Sequence, residues 1–80
     1  MGPLKLGRQL AAGRAFTGMD RAELAAAAGL SPATVKRLEL GGGVAAQSRT
    51  LDALEAALAA EGVEFTLEGG VPGVRLRRPS

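Results

Sequence analysis

The sequence predicts a mainly α-helical domain, four helices followed by a C-terminal β-hairpin. Three observations carry that expectation. Capping residues and glycines divide residues 1–61 into helix-length segments; leucines, alanines and a valine recur inside those segments at three- and four-residue spacing; and from Val63 onward apolar and polar residues alternate. The 80 residues fit a single domain over 1–80, with a helical core over 1–61 and a hairpin over 62–80 as a possible dimerisation element.

A first helix is expected from about Pro3 to Thr17, with Leu6, Leu10 and Phe16 facing inward and Gly18 as its stop. Gly13 costs it about 1 kcal/mol relative to alanine, which either a close helix contact or simple tolerance explains. Asp20, followed three residues later by Glu23, is a capping-box variant that opens a second helix, and Gly29 breaks it. Ser31 offers a side-chain cap and Pro32 a proline at the first helical position, so a third helix starts at once and ends near Leu40. Leu24, Ala25 and Ala28 on the second helix, and Val35 and Leu38 on the third, form the stripes that the pair buries. Lys36 and Arg37 occupy the opposite face. Two helices joined by so short a turn cross steeply, which is the geometry of a DNA-reading helix-turn-helix.

Gly41, Gly42 and Gly43 read as linker, because a phosphate-cradling loop needs a preceding strand and a following Lys-Ser or Lys-Thr. Ser48 is expected to cap a fourth helix reaching about Glu61, with Leu51, Leu54 and Leu58 as its apolar stripe and Gly62 as its end. Val63, Phe65 and Leu67 then alternate with Glu64 and Thr66 as a strand. Glu68 to Gly73 is turn material, and Val74 to Arg77 alternate again. Pairing Leu67 with Val74 sets Phe65 opposite Leu76 and Glu64 opposite Arg77. A lone hairpin is marginal in water and must pack on the helices or pair with a second copy. Val63, Phe65, Leu67, Val74 and Leu76 are therefore the dimerisation candidates.

Composition narrows the chemistry. Cysteine and histidine are absent, so the familiar nucleophile–base pairs and zinc sites cannot be assembled; no enzyme, metal or other cofactor is expected. The lack of cysteine suits a reducing cytoplasm. No signal peptide or membrane span is read, since Ala22 to Leu30 is too short and is interrupted by charge. The net charge of +2 is unevenly spread: +4 over Met1–Arg49, −5 over Thr50–Gly70, and +3 from Arg75, Arg77 and Arg78. Such a chain orients in the field of a polyanion with its basic part forward, although a solvated surface also needs charges of some sign.

The run Q-L-A-A-G-R-A-F-T-G-M-D-R-A-E-L-A-A-A-A-G-L-S-P-A-T-V-K-R-L-E resembles the phage repressor and Cro-like (XRE-type) helix-turn-helix proteins, and the likeness covers Gln9 to about Leu58. It implies a lambda-repressor-like domain whose third helix lies in the DNA major groove. It also implies that Arg21 touches a phosphate at the start of helix two, and that Arg14 and Glu39 form a partly buried structural ion pair. On the third helix Ser31, Pro32, Ala33, Thr34, Lys36 and Arg37 are the expected base readers. Arg37 can fork to a guanine, Ala33 or the Thr34 methyl can meet a thymine methyl, and Lys36 can reach a base or a phosphate. Arg21 and Arg49, each near a helix start, are the expected phosphate clamps. Many relatives carry longer polar readers where Pro32 and Ala33 stand, which implies reliance on Arg37, apolar contact and DNA shape. The usual fifth helix is replaced by the strand pair.

These readings converge on a small bacterial or phage regulator in the cytoplasm, near the nucleoid, that binds double-stranded operator DNA as a homodimer and represses. Activation by touching RNA polymerase, an antitoxin role with a toxin partner, and a protein-interaction module without DNA binding remain open alternatives.

Overall fold

A computed structural model of the chain describes residues 3–41 and 48–77. The order is α1 (Gly7–Thr17), α2 (Arg21–Ala28), α3 (Pro32–Leu40), α4 (Ser48–Ala59), β1 (Val63–Glu68) and β2 (Val71–Leu76). The helices enclose a core of Leu10, Leu24, Ala25, Val35, Leu38, Leu54 and Leu58, and the hairpin closes it with Val63 and Phe65. Each fully buried leucine contributes about 1.5–3 kcal/mol relative to an exposed one.

The central helix pair follows its caps. Asp20 Oδ1 accepts from Glu23 N–H at 2.8 Å and Glu23 Oε1 accepts from Asp20 N–H at 2.9 Å, which fixes the start of α2. Gly29 ends it at φ +72, a left-handed conformation that costs a side-chain-bearing residue dearly. Ser31 Oγ accepts from Thr34 N–H at 3.2 Å, with Pro32 as the first residue of α3.

Three elements differ from the sequence reading. Helix α1 begins at Gly7 rather than Pro3, because no Ser, Thr, Asp or Asn stands at the earlier start; Gln9 instead reaches back and accepts from Leu6 N–H and Lys5 N–H at 2.9 and 2.6 Å. The segment before it is an arm that buries Leu4 in the core. As a result Leu6 flanks the helix and Phe16 passes beyond the packed region, so both are exposed and only Leu10 of the three expected residues is inside. Gly13 does make a close approach, but to the hairpin and not to a helix: a Cβ there would lie 3.0 Å from Val63 Cγ1 and 3.1 Å from Phe65 Cζ.

Helix α4 ends at Ala59, two residues early, and a turn carries the chain to Gly62 at φ +89. Because Ser48 is its first helical residue, the cap position falls at residue 47, outside the described residues, as do Gly42 and Gly43 of the expected linker.

The hairpin turn is only Gly69–Gly70, at φ +60 and +78, the pair of left-handed positions a two-residue turn demands. Strand β2 thus starts at Val71, and the register becomes Leu67 with Pro72, Phe65 with Val74, Glu64 with Arg75 and Val63 with Leu76. This is two residues from the expected pairing. An even slip leaves every side chain on its expected face, which is why the inward set survives. Of the dimerisation candidates, Val63 and Phe65 are buried in the chain's own core, Val74 and Leu76 pack half-buried against it, and Leu67 is exposed.

Candidate nucleic-acid interface

Helix α3 has two unlike sides. Val35, Leu38 and Glu39 are buried, whereas Ser31, Pro32, Ala33, Lys36 and Arg37 are exposed and Thr34 is half-buried. The exposed side carries two cations and two small residues on a short, capped rod. Ser31 and Thr34 are less free than their hydroxyls suggest: Ser31 Oγ and Thr34 Oγ1 lie 2.9 Å apart, in hydrogen-bond contact, and Ser31 already caps the helix.

What holds this rod is a three-residue charge cluster. Arg14 grips Glu39 with both arms, Nε to Oε2 at 2.7 Å and Nη2 to Oε1 at 3.0 Å, and its Nη1 donates to the Met19 carbonyl at 3.1 Å. Arg21 Nε joins Oε1 at 2.9 Å. The Glu39 side chain is only 1% exposed. Burial alone would raise its pKa, but hydrogen bonds from Arg14 and Arg21 and the field of both guanidiniums outweigh it, so Glu39 titrates below the ordinary carboxylate value. Arg14 is shifted upward, first by its hydrogen bond to Glu39. The cluster links α1, α2 and α3, and with two cations on one anion it keeps a net charge of +1.

Arg21, an expected phosphate clamp, thus also belongs to this cluster. Its Nε is committed to Glu39, while its side chain stays about one-third exposed at 35%. Nothing in the local sequence signals this sharing, because Arg21 and Glu39 are separated by a whole helix and turn. Arg49 lies exposed in the first turn of α4, on a different element from the other cations. Leu40, at the C-terminal end of α3, is 68% exposed and has no packing role that accounts for it.

A second residue escaped the sequence reading. Gln9 is buried, and its Nε2 donates to the carbonyls of Pro3, Thr66 and Gly73 at 3.1, 3.3 and 3.0 Å. It fastens both the N-terminal arm and the hairpin to α1. Gly7 performs the matching task toward α3: a Cβ there would run into the backbone carbonyls of Leu38 and Glu39. The only sequence signal for either was a polar or small residue on an otherwise inward stripe.

Among the described residues, no group of three His, Cys, Asp or Glu side chains comes together in a way that could hold a metal ion, and no helix is long and apolar enough to cross a membrane. A family model described as helix-turn-helix matches residues 17–65, which includes α2, α3, α4 and the start of β1. No curated protein matches the chain significantly.

Proposed function

This chain belongs to the XRE-type helix-turn-helix family of DNA-binding regulators, and from that premise we propose that it is a transcriptional repressor that occupies operator DNA as a homodimer. The observation that carries this reading is the exposed side of α3, where Lys36 and Arg37 stand beside Pro32 and Ala33 while Val35, Leu38 and Glu39 anchor the opposite side. A helix held this way enters a major groove without reorganising. Arg37 forks to a guanine and Lys36 reaches a base or phosphate, whereas Ala33 and Pro32 meet thymine methyls and the groove wall. Ser31 and Thr34 sit at the N-terminal end of the same helix. Arg49 and the outer nitrogens of Arg21 hold phosphates and set the register. The protein works in the cytoplasm, at the nucleoid.

Two half-sites about 34–36 Å apart suit a two-fold dimer of this type. Genome-wide capture of bound DNA tests the proposal, and recovery of one recurring two-fold-symmetric site is expected. On that site Arg37→Ala should lose about 1–3 kcal/mol of discrimination against a changed base pair, while Arg49→Ala should weaken cognate and random duplexes alike. Equal losses on both duplexes for both variants would remove the division between reader and clamp.

A further inference from the structure

Two guanidiniums close on one buried carboxylate, and they do so unequally. Arg14 binds Glu39 through both Nε and Nη2 and gives Nη1 to the Met19 carbonyl, so all of its side-chain nitrogens are committed. Arg21 gives only Nε, at 2.9 Å from Oε1; among the described residues its Nη1 and Nη2 donate to nothing. With Arg14 neutralising Glu39, the charge of Arg21 stays available to another anion. Arginine alone permits this division, because its planar fork offers one side to a carboxylate and its far end to a second acceptor, whereas a lysine ammonium is a single point.

Arg21 is the first residue of α2, and the start of that helix is already capped from within: Asp20 Oδ1 accepts from Glu23 N–H, and Glu23 Oε1 accepts from Asp20 N–H. Both capping carboxylates are exposed, and both repel a phosphate. Taken together, Arg14, Asp20, Arg21, Glu23 and Glu39 give this corner a net charge of −1. Diffuse attraction therefore does not draw a phosphate here. A guanidinium aimed past the carboxylates does, through charge-assisted hydrogen bonds of fixed direction.

We propose that Glu39, whose side chain is buried and touches no DNA, is the positioning residue of the phosphate contact: by holding Arg21 Nε it aims Nη1 and Nη2 at a backbone phosphate beside the start of α2. This deepens the proposed function and rests on that reading. Glu39 belongs to the buried side of α3, whose outer side carries Lys36 and Arg37, so the clamp on α2 and the reader helix are tied through one carboxylate and seat together. Arg14 has a separate part. Without it the pair of Arg21 and Glu39 would be neutral and would offer a phosphate no net charge.

Phosphate contacts do not depend on sequence, so fluorescence anisotropy of the full-length chain on a mixed-sequence duplex of about 20 base pairs, from about 50 to 200 mM salt, reads this contact directly. Arg21→Lys keeps the charge and leaves the Arg14–Glu39 pair intact. It should nonetheless bind about tenfold more weakly, with the slope of log K against log salt reduced by about 1 per bound copy, because one ammonium cannot serve carboxylate and phosphate at once. A loss of less than about threefold would mean that charge alone suffices, and would overturn the assignment. Glu39→Gln separates aim from field by sign: removing a negative charge tightens duplex binding if only the field matters, and weakens it if the carboxylate aims Arg21. Circular dichroism establishes that each variant is folded, and Arg21→Lys carries the test if Glu39→Gln is not. Nitrogen-edited NMR of the Arg21 side chain should show Nε–H slow to exchange with and without duplex while the Nη resonances shift; exchange that quickens at Nε on adding duplex would show Arg21 leaving Glu39, and would also defeat the proposal. Wild-type chain indifferent to every duplex sinks the regulator itself, whereas wild-type binding matched by Arg21→Lys sinks the positioning role alone.

Discussion

Glu39 decides more than any other residue, because it is a buried carboxylate whose cost is offset only by its partners. Breaking a buried pair ordinarily costs about 3–5 kcal/mol. Here Arg21 remains on Oε1 when Arg14 is removed, so Arg14→Ala should lose only the part belonging to charged hydrogen bonds, about 1.5–3 kcal/mol. The double variant Arg14→Ala/Arg21→Ala should reach the larger figure. For a domain of this size each kcal/mol moves the melting temperature by about 4–8 °C, so thermal melts resolve the two. A full-size loss in the single variant would mean that Arg21 contributes nothing. The same carboxylate sets an acid limit. Its pKa is lowered on folding, so its contribution is present above the unfolded value of about 4.3 and is lost as pH falls through the lower folded value. Denaturant titrations from pH 6 to pH 3 should show stability falling more steeply in the wild type than in Glu39→Gln.

At the level of elements, the close approach of α1 to α3 is the least forgiving contact. Gly7 abuts the carbonyls of Leu38 and Glu39, and backbone cannot swing aside as a side-chain tip can. Gly7→Ala should therefore cost about 1–3 kcal/mol, although alanine is the better helix former. Urea unfolding of Gly7→Ala beside Gly18→Ala tells clash from backbone strain, since Gly18 has open space around it but φ of +77. The elements also show why parts of the fold were legible. Asp20, Glu23, Gly29, Ser31 and Pro32 act on backbone groups within four residues, so the boundaries of α2 and α3 follow from neighbours in the chain. The start of α1 and the hairpin register do not. One depends on Gln9, whose other partners are Pro3 and the distant Thr66 and Gly73; the other depends on Gly69–Gly70 closing the tightest of several available turns.

For the whole molecule, the basic residues around α3 and the acidic stretch over 50–70 give a polarity that acts on the rate and salt dependence of DNA association. If Arg21, Lys36, Arg37 and Arg49 of both copies each neutralise a phosphate, about eight contacts form, and log K against log salt should fall with a slope of about −7. A slope near half that value, measured by fluorescence anisotropy from 50 to 200 mM salt, would indicate binding through one copy or withdrawal of the arginines.

The order of elements, the caps of the central helices and the side of α3 that carries Lys36 and Arg37 were set by the sequence alone, because capping and amphipathic spacing are interactions among near neighbours. Tertiary structure decided the rest: that Arg21 shares Glu39 with Arg14, that Gln9 ties three segments together, and that Val63 and Phe65 lie in the chain's own core. Each joins residues separated by a turn, a helix or most of the chain, and such meetings are fixed by how the helices and hairpin pack rather than by any local pattern.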